Sequence, residues 1–172
     1  MRRRFLALLS LAFLLASCSP TYNWREVRLP GAELKALLPC KPDQASREQS
    51  LAGQAYTIAM QGCETGGALF AVAVVELGQE SRAQAVQQQW QIQLLGTMQA
   101  AAPASASFAL RGASTQFEPL RLNARGQRPD GRPVEVQGVW FARGARLYHA
   151  VIYAERIRSE MSEPFFGGLE LP

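Results

Sequence analysis

Alternation of apolar and polar residues predicts strands in the first half of the chain. Between residues 54 and 63, apolar side chains alternate with polar or small ones, which is the period of a half-buried strand. Glu64 to Gly67 then reads as a hairpin turn. The following segment, Ala68 to Leu77, is apolar at almost every position. Because a strand without a polar face is buried on both sides, we expect this segment at the centre of a sheet.

The same criteria predict four further strands and therefore a sheet of about six strands. Their ranges are Glu33 to Leu38, Leu120 to Asn123, Val134 to Ala142 and Leu147 to Ala154. The last of these is again apolar on both faces, so it also belongs near the centre of the sheet. The first ends at Pro39-Cys40-Lys41-Pro42, because proline does not continue a strand ladder.

Two segments carry a helical pattern. Ser81 with Gln84 resembles a capping box, and a single apolar stripe with spacings of three or four follows it. The stripe consists of Ala83, Val86, Trp90, Leu94 and Met98, and the Gln-rich opposite face should be solvated. A short second helix is expected within Ser159 to Gly167. Residues 102–107 read as a small-residue linker. The fold class is therefore α+β, a mainly antiparallel sheet with helices on both faces.

The amino terminus has the pattern of an export signal. Arg2, Arg3 and Arg4 precede an apolar run over residues 5–16, which is shorter than the ~20 residues that a membrane span needs. The run ends in Leu15-Ala16-Ser17-Cys18, which resembles the lipobox of bacterial lipoproteins. That resemblance implies acylation of Cys18, cleavage before it and anchoring in a membrane. Ser19 after the cysteine favours the outer membrane.

This predicted export signal divides the chain into three parts. Residues 1–17 form the signal peptide, 18–32 the acylated cysteine with a short tether, and 33–172 a single domain on the periplasmic face of a Gram-negative outer membrane. The residues Arg2 to Leu6 also fit a twin-arginine pattern, so general secretion and twin-arginine export both remain open.

Net charge changes once the signal is removed. The chain of 172 residues has a formal charge of +4, but without the three signal arginines it has 15 basic residues against 14 acidic ones. The remaining cysteines, Cys40 and Cys63, lie in an oxidising compartment and are not arranged as Cys-x-x-Cys. We therefore expect a structural disulfide between them.

The element order β-β-β-α-β-β-β-α resembles the PsbP-like fold. The resemblance covers residues 33–172 and depends on the exit at Pro39 to Pro42, the hairpin into a central strand, and Phe165-Phe166-Gly167-Gly168-Leu169 near the end. It implies an α/β/α sandwich and an accessory binding role. The cysteine pair and the arginine-rich loop are not part of that pattern.

The sequence contains no catalytic motif that would indicate a reaction. His149 is the single histidine, and no Gly-x-Ser-x-Gly elbow accompanies it. Carboxylates are scattered, and Gly66-Gly67 lacks the lysine of a phosphate-binding loop. With one histidine and three cysteines, a metal site is not expected, and neither is a cofactor. An envelope enzyme using His149 with unrecognised partners remains an alternative.

Charge is uneven along the chain. The segment from Arg111 to Arg146 contains seven arginines and three acidic residues. Six of them form a candidate surface for an anionic partner, namely Arg121, Arg125, Arg128, Arg132, Arg143 and Arg146. Solvated strand faces would explain the same residues. The compartment and the lack of an aromatic platform disfavour nucleic acid.

The sequence therefore predicts a lipid-anchored, non-enzymatic module that binds or scaffolds an envelope protein or an anionic envelope polymer. A small-ligand carrier with a cleft between sheet and helix is the second alternative. In that case four aromatic side chains would be candidates for the cleft, although core packing explains them more simply. They are Trp24, Trp140, Tyr148 and Tyr153.

Overall fold

The computed structural model describes residues 20–172, apart from the side chains of residues 101 and 102. The predicted signal peptide, Cys18 and the predicted cleavage site lie outside the described residues. Within residues 20–172, no helix is both long enough and apolar enough to cross a bilayer.

The described chain folds into nine strands and two helices. The strands are β1 (Arg25–Arg28), β2 (Lys35–Leu38), β3 (Asp43–Leu51), β4 (Gln54–Thr65), β5 (Ala68–Glu76), β6 (Ala101–Ser107), β7 (Leu120–Gln127), β8 (Pro133–Arg143) and β9 (Arg146–Ala154). The helices are α1 (Ala83–Thr97), which follows a 3₁₀ turn at Glu80–Arg82, and α2 (Ser159–Gly167). The predicted α+β class is confirmed: the protein is an antiparallel sheet with two helices.

Seven strands form one sheet in the order β3-β4-β5-β9-β8-β7-β6, and every pair in it is antiparallel. Strands β1 and β2 pair separately. The two segments that are apolar on both faces, β5 and β9, pair with each other in the middle of the large sheet. Their central position follows from burial, because only the interior of a layered fold covers both faces of a strand.

Three strands were not predicted from the sequence. Strand β3 is almost entirely exposed, and β6 is a run of small residues at the opposite sheet edge, so neither has an apolar face to give a signal. Residues 25–28, expected in the tether, form β1 against β2. The predicted cap is also absent, since Ser81 lies inside the 3₁₀ turn and no side chain caps α1.

The packed chain begins close to Cys18. The hydroxyl of Thr65 donates a hydrogen bond to the carbonyl of Thr21 (2.8 Å), and the backbone N–H of Asn23 donates to Pro39 (2.8 Å). Tyr22 packs edge-on against Phe70. Residues 21–23, which were expected in the tether, are therefore packed against the domain.

Two hydrophobic clusters lie on the two sides of β5. Ala73 and Val75 belong to a cluster that contains Val86, Trp90 and Leu94 of α1. Phe70, Val72 and Val74 belong to the other, with β2 and with Met161, Phe165 and Phe166 of α2. Helices α1 and α2 therefore pack with different residues of β5.

The predicted disulfide is confirmed. Cys40, just after β2, is bonded to Cys63 of β4, with a Cα–Cα distance of 5.9 Å. The bond links the two-stranded sheet to the seven-stranded one.

Candidate functional site

His149 is a core residue beneath α1. It lies on β9 opposite Trp140 of β8, and the two rings stack with centroids 4.0 Å apart. Trp90 of α1 meets the imidazole edge-on at 5.0 Å. A Cβ at Gly138 would lie 2.9 Å from Nε2, so only glycine leaves room for the ring.

Burial sets the protonation state of His149. Desolvation, assisted by the charge of Arg47, lowers its pKa to about 3. The imidazole is 3% exposed, and its Nε2 has no hydrogen-bond partner. It is therefore neutral at physiological pH and out of reach of a substrate.

Four of the six predicted arginines are held in ion pairs. These are Arg125 with Glu135 (3.0 Å), Arg132 with Asp130 (2.6 Å), Arg143 with Glu33 (3.2 Å) and Arg146 with Glu76 (3.0 Å). The six residues are also spread out along the fold. Arg128 and Arg132 precede β8, whereas Arg143 is its last residue and Arg146 begins β9, and 11 strand residues span ~34 Å. The structure therefore does not bring them together on one surface.

Arg121 lines an open cleft beside α2. Its guanidinium lies over the ring of Phe166 at 4.7 Å and near that of Phe108 at 5.9 Å. The cleft has a volume of about 700 Å³, and Arg111, Glu163 and Glu170 also line it. Two acidic residues thus balance the two arginines. Because its guanidinium stacks on these two rings, Arg121 contributes to the packing of the cleft wall.

Arg128 lines a second cleft, between the sheet and α1. This cleft has a volume of about 370 Å³. Its polar side chains include Arg47 of β3, Arg128 of the β7–β8 loop and Tyr153 of β9. The apolar ones are Leu69, Trp90, Leu94, Met98, Pro129 and Val134. Apolar walls with a few convergent polar groups are the usual composition of a small-molecule site.

The loop that carries Arg128 is held against the end of α1. The backbone N–H of Gln127 donates to the carbonyl of Met98 (2.7 Å). A Cβ at Gly126 would lie 2.3 Å from that same carbonyl oxygen, so this close approach requires glycine. Within the loop, the N–H of Arg128 donates to Arg132 (2.8 Å) and that of Gly131 donates to Arg128 (2.8 Å). Arg128 therefore stands on an ordered turn at the cleft.

Tyr153 contributes a neutral hydroxyl. Burial raises the pKa of its phenol to about 12, although the charge of Arg47 opposes the shift. The group therefore remains protonated and can donate a hydrogen bond.

Sequence reasoning found only part of this second cleft. Arg128 was among the predicted residues, and a cleft between sheet and helix was one of the alternatives. Arg47 was missed because β3 has no apolar face. Tyr153 was named as a candidate for the cleft, although core packing was the preferred interpretation. The strand predictions placed Trp140 and Tyr148 correctly, because both are fully buried.

Among residues 20–172, no group of three or more histidine, cysteine, aspartate or glutamate side chains is arranged to hold a metal ion.

Comparison with known proteins gives no family. No family model matches the chain, and no curated protein matches it. Among solved structures, it is similar to a Pseudomonas aeruginosa protein of unknown function, at 15% sequence identity and a TM-score of 0.42. The match covers 82% of this chain and 89% of that one.

Proposed function

We propose that the protein is an outer-membrane-anchored lipoprotein with a periplasmic, non-enzymatic binding domain. Its anchor is acylated Cys18, and its partner is a component of the envelope, either a protein or an anionic polymer, or a small ligand that it carries. The fold we propose for this domain is the PsbP-like α/β/α sandwich. The single observation that carries the binding role is the cleft beside α1.

Two features support the anchor. The segment Leu15-Ala16-Ser17-Cys18 matches a lipobox after an apolar run of signal length. The Cys40–Cys63 disulfide suits an oxidising compartment. Because packing begins at Thr21, an acylated Cys18 would hold the domain within ~10 Å of the membrane surface.

The environment of His149 supports binding rather than catalysis. General acid–base work needs the imidazole within hydrogen-bond reach of a substrate proton. In this protein Trp140 and Trp90 cover the ring, and burial holds its pKa at about 3. The cleft beside α1, in contrast, is open and is lined by arginine and tyrosine.

The two hydrophobic clusters support the sandwich. Val72 and Val74 share a cluster with α2, and Ala73 and Val75 share one with α1. Since neighbouring residues of a strand point to opposite faces, this division is the one expected when each helix forms an outer layer.

Replacement of Cys18 tests the anchor. Cells producing the wild type and Cys18→Ser should be labelled with radioactive palmitate and fractionated. We expect label and protein in the outer-membrane fraction for the wild type, and an unlabelled precursor for the variant. Cys40→Ser with Cys63→Ser is the matched control, because it removes two cysteines and should keep both label and location. A processed, membrane-retained Cys18→Ser protein would contradict the proposal.

A further inference from the structure

We propose that the cleft beside α1 binds a small organic oxyanion, a carboxylate or phosphate attached to a compact apolar body. This inference rests on the proposed binding function and names the class of ligand that the cleft would take.

The lining of the cleft is positively charged. Arg47 and Arg128 line the cleft, and none of its lining residues is an aspartate or glutamate. Every acidic residue of the chain lies within residues 20–172, and none of them is within ion-pair distance of either arginine. The cleft therefore presents two arginines that are not held in ion pairs, although Arg128 still attracts Asp130 and helps to lower the pKa of that carboxyl. Guanidinium groups match the planar oxygen pairs of carboxylates and phosphates.

The hydroxyl of Tyr153 adds a third donor. It remains protonated at physiological pH because burial raises its pKa to about 12, so it can donate to an oxyanion there. Two guanidiniums and a phenol can all donate to a bound anion, whereas the arginines repel a cation. The polar groups of the cleft therefore select for negative charge.

Size and apolar lining define the rest of the ligand. A volume of about 370 Å³ corresponds to ~12 molecules of liquid water, and so to roughly a dozen non-hydrogen atoms. Trp90, Leu94 and Met98 of the helix side are apolar. A single ring or a short branched chain would fill this space.

The cleft beside α2 is a natural comparison, because it is larger and also contains two arginines. There, however, Glu163 and Glu170 lie among the lining residues together with Arg111 and Arg121, and aromatic rings cover the guanidinium of Arg121. Its net charge gives no preference for an anion. We therefore assign oxyanion binding to the cleft beside α1.

Equilibrium dialysis of the processed protein in a nonionic detergent tests the site. The probes are phenylacetate, phenyl phosphate and the cation 2-phenylethylammonium, each with a micelle-only blank. We expect one equivalent of each anion, with a dissociation constant on the order of 0.1–1 mM for such small ligands, and at least tenfold weaker binding of the cation. Arg47→Gln with Arg128→Gln should weaken anion binding at least tenfold, and Tyr153→Phe about fivefold.

Arg111→Gln is the matched control, since it removes an exposed arginine without an ion pair from the other cleft. It should bind the anions within twofold of the parent. Circular dichroism checks that every variant is folded. Equal binding of anions and cation by the parent, unchanged binding by the Arg47/Arg128 variant, or loss of binding in Arg111→Gln would each overturn the site. Failure here with palmitate labelling intact would reject the ligand class and leave the lipoprotein anchor standing.

Discussion

At the scale of single residues, Gly138 and two arginines without ion pairs, Arg47 and Arg128, shape the surroundings of α1. Gly138 makes room for His149, which then fills the space between Trp140 and Trp90. Arg47 and Arg128 differ from Arg125 and the other paired arginines only in their neighbours. Composition counts all of them equally, but the position of a carboxylate decides which charge is available to a ligand.

His149 should make stability depend on pH. Its pKa in the folded state is about 3, below the ordinary histidine value of 6.5 that applies to the unfolded chain. The unfolded chain therefore binds a proton that the folded protein does not, and stability falls as pH drops below 6.5. From pH 7 to pH 5 this group should remove about 2 kcal/mol from the free energy of unfolding.

Urea unfolding at both pH values measures this effect. His149→Leu should remove the ~2 kcal/mol difference, because no titrating group remains at that position. The same pH dependence in the wild type and in His149→Leu would show that the imidazole is accessible to protons in the folded state.

At the scale of elements, the contact between the β7–β8 loop and the end of α1 shapes the candidate site. Gly126 lets the loop approach the carbonyl of Met98, and Arg128 follows two residues later. Helix α1 was predicted from its apolar stripe, and the loop follows from the two strands predicted on either side of it. Their contact could not be predicted, because it depends on how α1 lies across the sheet.

Gly126→Ala should disturb this contact. A methyl group at that position would meet the Met98 backbone, which has no flexible end to move aside, and we expect a loss of about 1–3 kcal/mol in the free energy of unfolding. Anion binding should weaken as well, because Arg128 moves with the loop.

Gly96→Ala is the control for this prediction. Gly96 lies in α1, and a Cβ there would meet nothing within 4 Å. Alanine should therefore raise the free energy of unfolding by roughly 0.5–1 kcal/mol through helix propensity. Thermal and urea unfolding would compare the two variants, and equal effects of both would argue against a tight loop–helix contact.

At the scale of the whole molecule, the disulfide joins parts that pair in different sheets. Cys40 follows β2, and Cys63 lies in β4 next to the centre of the large sheet. Together with the contact between Thr65 and Thr21, it fastens the first packed residues to the main domain.

Removing the disulfide should cost stability without changing the fold. Cys40→Ser with Cys63→Ser frees a loop of 22 enclosed residues, and we expect about 3 kcal/mol less free energy of unfolding in urea. A reductant should lower the stability of the parent by a similar amount and leave the double variant unchanged. A loss below about 1 kcal/mol would mean that the bond adds little to this domain.

The elements that bury apolar surface were predicted from the amino-acid sequence. The two strands without a polar face, β5 and β9, pair at the centre of the sheet as predicted, and α1 follows its apolar stripe. The pairing of Cys40 with Cys63 was equally readable, because only two cysteines remain after Cys18. Apolar periodicity is a local property, so a single sequence contains it.

The edge strands and the candidate site depend on contacts between distant parts of the chain. The exposed strands β1, β3 and β6 depend on partner strands rather than on their own pattern. Whether an arginine is paired or free, and whether His149 is buried or accessible, depends on residues far away in the chain. Arg47, Arg128 and Tyr153 come together because the sheet, helix and loop fold around one cleft, and no local pattern encodes that distance.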